Sequence, residues 1–185
     1  MRIGILGGAF DPIHLGHLLL AEKAREKLSL TKIIFVPCFI SPFKKEIAPS
    51  SQRYKMVCLA ISDNPFFVVS KLEIKRKGVS YSIDTVRELK KRYLRDEFFF
   101  ILGSDSWEQF SSWRDSDELL KLIRFAVMQR KGFSLRENGS ILKISGEVLP
   151  ISSSQIRERV NQNKSIRYLV PEGVRRYILR KGLYK

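Results

Sequence analysis

The chain holds two histidines, His14 and His17, and both fall within one short segment, Gly7-Gly8-Ala9-Phe10-Asp11-Pro12-Ile13-His14-Leu15-Gly16-His17-Leu18. The residue types in this run suit the handling of phosphate. Gly7 and Gly8 are small enough for backbone N–H groups to approach an anion, and a helix starting just beyond them would add the positive end of its dipole. Histidines three residues apart on an opening helical turn point to one side, where their ring N–H groups can donate to phosphate oxygens as negative charge builds in a transition state. Gly16 removes a side chain from between them. Two plainer roles stay open from these residues alone. Both rings could serve as caps or core groups, or the pair could bind a metal, although two histidines without a third nearby ligand make a poor zinc site.

A second segment with chemical potential is Ile151-Ser-Ser-Ser-Gln-Ile-Arg157. Ser152 and Gln155 have the spacing of a capping box, which leaves Ser153, Ser154 and the first-turn N–H groups facing outward, with Arg157 one turn on to pair with phosphate. A serine-rich cap before an amphipathic helix also occurs without any ligand.

These segments need elements to hold them. Ile3 to Leu6 is an apolar run closed by two glycines, and Leu18, Ala21, Ala24 and Leu28 then recur at helical spacing, so the phosphate-suited segment lies between a strand and a helix. Lys32 to Pro37 predicts a second strand, and Ser50 opens a helix to about residue 62. Phe66 to Ser70, Phe98 to Leu102, Phe125 to Met128 and Ile141 to Ile144 predict further strands, and Leu72-Glu-Ile-Lys75 alternates like an extended segment. Helices are expected from Ser82 or Asp84 to about Arg95, in short pieces at 105–110 and 117–122, from Ser152, and from Pro171 in the first turn to Gly182 just past the end. The polar stretch 129–140 reads as surface loop. Strands alternating with helices predict one α/β domain over residues 1–185: a doubly wound, Rossmann-like, mostly parallel sheet with helices on both faces and helices at the C-terminus. Ligands in that architecture sit beyond the carboxyl ends of the strands.

Composition bounds the function classes. The 185 residues are 44% hydrophobic and 29% charged with 7 Pro and 11 Gly, which excludes collagen-like and largely disordered chains. Cys38 and Cys58 lie 20 apart without a CxxC, so neither a disulfide scaffold nor a zinc module is indicated. No stretch approaches 18 uncharged apolar residues, and the first residues look like a strand rather than a leader, so a cytoplasmic protein that is neither exported nor membrane-bound is expected. The 34 Lys and Arg against 19 Asp and Glu give a net charge of +15, which attracts polyanions from nucleotides to nucleic acids without choosing among them.

The first segment resembles the HxGH motif of the nucleotidyltransferase superfamily, which is related to class I aminoacyl-tRNA synthetases, and the longer string resembles the bacterial nicotinate-nucleotide adenylyltransferases. Ile151 to Arg157 is similar to that family's second signature, Ile-Ser-x-[Ser/Thr]-x-Ile-Arg. Pro42-Phe-Lys44 stands where the family has Pro-Pro-His-[Lys/Arg], with Phe43 as a departure. Ser80-Tyr81-Ser82-Ile83-Asp84-Thr85 resembles Ser-Tyr-Thr-x-x-Thr, Gly103-Ser-Asp105 followed by Trp113 resembles Gly-x-Asp and its distant Trp, and Gln129-Arg-Lys-Gly132 and Leu169-Val-Pro-Glu with Gly182-Leu-Tyr184 fit the remaining positions.

The resemblance implies transfer of AMP from ATP to nicotinate mononucleotide, giving deamido-NAD and pyrophosphate, with Mg²⁺ carried in on ATP and no metal site of the protein's own. It implies ATP contacts from Gly7, Gly8, Phe10, His14, His17, Gly103, Asp105, Ile151, Ser153, Ser154 and Arg157. For the mononucleotide it implies Ser82, Ile83 and Thr85 through backbone N–H groups around the nicotinate carboxylate, Trp113 stacked on the pyridine, and Lys44, aided by Lys45. His14, His17, Lys44 and Arg157 would neutralise charge at the reacting phosphates. Trp107 has no role in this scheme. Two rivals stand beside it: a pantetheine-phosphate adenylyltransferase, in which a Thr usually replaces the first histidine, and a basic nucleic-acid-binding protein without catalysis. The sequence leaves the state of assembly open.

Overall fold

The apolar strand runs form one six-stranded sheet in the order β3-β2-β1-β4-β5-β6, and every pairing in it is parallel. The computed structural model describes residues 1–43, 48–129, 139–146 and 149–185. The strands are β1 (Arg2–Gly8), β2 (Lys32–Pro37), β3 (Phe67–Val69), β4 (Glu97–Gly103), β5 (Arg124–Met128) and β6 (Ile141–Ile144). The helices are α1 (Leu15–Lys27), α2 (Ser50–Ala60), α3 (Leu72–Arg76), α4 (Ser82–Arg92), α5 (Ser104–Glu108), α6 (Ser116–Leu122), α7 (Ser153–Asn161) and α8 (Glu172–Lys181). A 3₁₀ turn at Phe110–Ser112 separates α5 from α6.

Side chains alternate across each strand, so one apolar run supplies two cores. Phe99 and Ile101 face a layer built by α1, α2, α7 and α8, through residues such as Ala24, Met56, Ile156 and Val174. Phe98, Phe100 and Leu102 face the other way, toward Leu72 of α3, Val86 of α4 and Leu119 of α6. Each large side chain fully buried in this way contributes about 1.5–3 kcal/mol.

Two expected features differ. Leu72–Arg76 is a helix rather than an extended segment: the Ser70 hydroxyl accepts the Leu72 N–H at 3.2 Å, and Leu72 and Glu73 turn inward together, which a strand cannot do. Pro171 is the N-cap of α8, one residue before the first turn, whereas Gly182 ends that helix at φ 60° as its position predicted. Residues 130–138 of the expected 129–140 loop lie outside the described residues. Among the described residues no helix is long and apolar enough to cross a membrane.

The strand order places β1 between β2 and β4, so the chain's direction of winding reverses at the β1–β4 pair. Loops leaving the carboxyl ends of these two strands diverge to opposite faces of the sheet and leave a crevice between them.

Candidate active site

That crevice holds two cavities, of about 360 and 440 Å³, whose walls share Ser106 and Gln109. His14, Gly16, His17, Gly103, Asp105 and Ile151 to Ser154 line the smaller one. Gly7, Gly8, Tyr81, Ser82 and Trp113 line the larger, together with Phe43 and Arg114. Sequence reasoning assigned His14, His17, Gly103, Asp105, Ile151, Ser153 and Ser154 to ATP and Ser82 and Trp113 to the mononucleotide, and the fold places these in adjoining spaces, but Gly7 and Gly8, assigned to ATP, lie on the wall of the larger cavity beside Ser82 and Trp113.

The two histidines are fixed by the start of α1 itself. His14 is the N-cap in extended conformation, and its backbone N–H donates to His17 Nδ1 at 3.2 Å, one half of a capping box made with imidazole in place of the usual glutamate. A ring whose Nδ1 accepts an N–H carries its own hydrogen on Nε2 when neutral, so His17 is set to donate from Nε2. The two rings lie 3.7 Å apart at 30°, and the buried Phe10 ring meets His17 edge-on at 5.2 Å. Gly16 is required by this packing, because a Cβ there would lie 3.0 Å from His14 Nδ1 and 3.8 Å from the Ile151 carbonyl. Phe10 itself has φ 50°, a left-handed conformation that costs a residue with a Cβ about 1–2 kcal/mol. Its ring is core, so what it offers a ligand is its backbone.

Ser152 caps α7 by accepting the Gln155 N–H at 3.1 Å, which is the Ser152 half of the expected capping box. The Ser153 hydroxyl donates to the Pro12 carbonyl at 2.9 Å and so ties α7 to the segment that carries the histidines. Arg157 donates from Nη1 to the Asp11 carbonyl at 2.9 Å and from Nη2 to the Ser154 hydroxyl at 3.3 Å. The buried Asp11 carboxylate is a hub: Oδ1 accepts from the Tyr184 hydroxyl at 2.7 Å and the Ala48 N–H at 3.2 Å, while Oδ2 lies 3.9 Å from Arg157. Burial and the adjacent Asp11 carboxylate push the Tyr184 hydroxyl pKa well up, so it stays a donor.

In the larger cavity Trp113 stands edge-on to Phe100 at 5.8 Å with Phe110 behind it. Trp107 takes a packing role instead, stacked on Phe110 at 4.7 Å and 14° in the core beneath. At the start of α4, Ser82 borders the cavity, but the Ile83 side chain is in the core, so only its backbone can face a ligand. Thr85 stands behind the wall: its N–H is used by the Tyr81 carbonyl and its buried hydroxyl donates to Glu73. Lys44 and Lys45 lie outside the described residues, as do Arg130, Lys131 and Gly132.

Several residues that shape the site are absent from the sequence-based reading. Arg53, fully buried, donates to the carbonyls of Ala9, Cys38, Phe39 and Ala48, clamping the loops after β1 and β2 together. Its signal was present, since Arg53 falls in register with the buried Met56, Val57 and Ala60 on the core face of α2. Glu73 is buried at the edge of the larger cavity, and burial raises its carboxyl pKa against the hydrogen bonds from Thr85 and Ser80. Ser106 and Gln109 carried no signal that short spacing could reveal.

Residues 5–159 match the cytidylyltransferase-like family. The chain is 43% identical over 185 residues to a probable nicotinate-nucleotide adenylyltransferase of Geobacillus kaustophilus, covering 99% of this chain and 86% of that protein. It is 41% identical to one so named of Thermus thermophilus, with all of both chains covered. The chain belongs to the nicotinate-nucleotide adenylyltransferase family. It is therefore a nucleotidyltransferase, and the two signature segments that meet across the smaller cavity are those on which the family resemblance rests. Its fold is similar to that of a Plasmodium falciparum nicotinic acid mononucleotide adenylyltransferase solved with NaAD, at a TM-score of 0.86 over 99% of this chain and 97% of that one, with 23% identity. A nicotinate-nucleotide adenylyltransferase fold from Vibrio parahaemolyticus aligns with a TM-score of 0.74 at 20% identity, over 99% and 94% of the two chains.

Proposed function

We infer that the protein transfers the adenylyl group of ATP to nicotinate mononucleotide, forming deamido-NAD and pyrophosphate. The observation that carries this reading is the pair of adjoining cavities, one lined by the histidine segment and the serine-capped α7, the other by Trp113 and the start of α4. A reaction between two polyanions needs such a pair of spaces with a shared wall.

In the proposed chemistry a phosphate oxygen of the mononucleotide attacks the α-phosphorus of ATP, the bond from that phosphorus to the bridging oxygen breaks, and pyrophosphate leaves with the electron pair. A phosphate monoester is already a sufficient nucleophile, so no side chain is required to attack. Holding the two substrates in line replaces an encounter in solution, and donors aimed at the phosphates stabilise the charge that develops. His14, His17, Lys44 and Arg157 take that role, with His17 donating from Nε2. Gly7, Gly8 and the first turn of α7 receive the phosphates of ATP through N–H groups, and Asp105 accepts from the ribose hydroxyls beside Gly103. Trp113 packs on the pyridine, and the N–H groups of Ser82 and Ile83 meet the nicotinate carboxylate. Mg²⁺ would arrive with ATP as part of the substrate and would supply positive charge to its phosphates. The positive charge of the chain serves small anions in this reading rather than nucleic acid or a membrane surface, and the substrates place the enzyme in the cytoplasm.

The test is pyrophosphate release from ATP and Mg²⁺ with nicotinate mononucleotide, nicotinamide mononucleotide or phosphopantetheine as acceptor. The expected outcome is a strong preference for the nicotinate compound, with His17→Ala lowering kcat by about 10²–10³ while thermal unfolding shows a retained fold. Preference for phosphopantetheine would move the substrate, and salt-sensitive RNA or DNA binding with no turnover of any acceptor would replace the enzyme by a binding protein.

A further inference from the structure

The first turn of α4 borders the larger cavity, yet its N-cap, Tyr81, makes no capping hydrogen bond among the described residues. A helix start without its own cap presents first-turn N–H groups to whatever lies beyond it, and its position must then be set by something other than the cap. Here the two residues flanking that turn are tied from behind. Thr85 donates its hydroxyl to the Glu73 carboxylate and receives Arg76 Nη2 at 3.2 Å, which makes a directional chain from Arg76 through Thr85 to Glu73. Ser80 bonds the same carboxylate, and its hydroxyl oxygen accepts the Phe39 N–H at 2.9 Å from the loop after β2. Glu73 comes from α3, is 6% exposed, and reaches the cavity wall.

We propose that Glu73 is the positioning residue for acceptor selectivity: by holding Ser80 and Thr85 together it fixes the start of α4 so that the N–H groups of Ser82 and Ile83 fit a carboxylate rather than a carboxamide. This rests on the acceptor reading given above. A carboxylate is the side chain this task needs, because it accepts from two hydroxyls at once and donates to neither. A glutamine offers one accepting oxygen and its NH₂ only donates, so the hydroxyl facing the NH₂ must turn to accept from it, in competition with the bond it already accepts from Phe39 N–H or Arg76, which loosens that flank. The charge of Glu73 is answered by Arg76 and Arg53, which leaves the cavity able to take a second carboxylate nearby. A carboxamide presents its own N–H groups to N–H donors in one of its two orientations, so discrimination depends on the donors being held still.

The experiment measures KM for both mononucleotides and for ATP in wild type and Glu73→Gln, with circular dichroism to follow folding. The expected result is a rise of about tenfold in KM for nicotinate mononucleotide, a similar loss of preference over nicotinamide mononucleotide, and a KM for ATP that changes less than twofold, the scale of one hydrogen bond to a charged group. Thr85→Val is expected to act in the same direction, and Thr85→Ser to recover the KM lost in Thr85→Val, which keeps the test intact should Glu73→Gln fail to fold. A folded Glu73→Gln with unchanged acceptor KM and preference overturns the proposal, as does a KM for ATP that rises as much as that for the acceptor. A wild-type enzyme with no preference for the nicotinate compound overturns the acceptor reading itself and this proposal with it.

Discussion

The two cavities are built in different ways. On the smaller one, the groups suited to phosphate come from the starts of α1 and α7, each shaped by bonds within one turn, such as His14 N–H to His17 Nδ1 and Gln155 N–H to Ser152, with the two starts then joined by Ser153 and Arg157 to Pro12 and Asp11. On the larger one, the wall is held by buried side chains that reach between distant segments: Arg53 to Ala9 and Phe39, and Glu73 to Thr85. Phosphate recognition needs donors converging on a spherical anion, which a helix start supplies locally. Recognition of a planar ring and its substituent needs a fixed relation between several loops, which local bonds cannot supply.

The comparison is broken most severely at Arg53. Replacing it by Met leaves four backbone carbonyls, those of Ala9, Cys38, Phe39 and Ala48, without their guanidinium donor. The expected loss is about 3–5 kcal/mol of stability, read from denaturant midpoints at unchanged slope. A loss below about 1 kcal/mol would mean that the loops hold themselves and that the two cavities are equally local in construction.

Gly16 probes the other side. Alanine is the better helix former by about 1 kcal/mol, so a structural view alone expects Gly16→Ala to stabilise α1. The new Cβ, however, would lie 3.0 and 3.1 Å from Nδ1 and Cε1 of His14 and push that ring off its place. The expected outcome is a retained fold with kcat lowered about tenfold, equivalent to about 1.4 kcal/mol of transition-state stabilisation, and an acceptor KM that does not move. A raised acceptor KM would show that the two cavities are coupled through the histidine segment.

This division also explains what the sequence made legible. The strands were readable because a sheet covered on both faces needs unbroken apolar runs, and Phe98 to Leu102 can be little else. The histidine segment and the Ser152 cap were readable because their partners sit three residues away. The bonds of Arg53 and Asp11 were not, since their partners lie far along the chain: burial of Arg53 could be read from its register in α2, but Arg53 Nη1 bonds a carbonyl 44 residues away, and Asp11 meets a tyrosine 173 residues away. The inward turn of Glu73 was hidden by the alternation of Leu72 and Ile74, which reads as a strand until the Ser70 hydroxyl is seen starting a helix. Trp107 and Trp113 are six residues apart with similar surroundings in the sequence, and only the packing separates core stack from cavity wall.

The smallest effect expected is the pH dependence of Glu73, and it sharpens what holds the larger cavity. Its folded-state pKa is raised from 4.5, chiefly by burial, against Thr85, Ser80, Arg76 and Arg53, which favour the anion. A raised folded pKa means that the unfolded chain releases this proton first as pH climbs past about 4.5, while the folded protein keeps it to higher pH. Over that window the folded state binds more protons, so its stability falls with rising pH and then levels off once both states are ionised. Glutamine has no proton to release. The stability of wild type relative to Glu73→Gln should therefore decline from pH 4 to neutrality. A relative gain over the same range would mean that the two arginines outweigh burial, and that the carboxylate in this wall is held more by its charge partners than by the hydroxyls of Thr85 and Ser80.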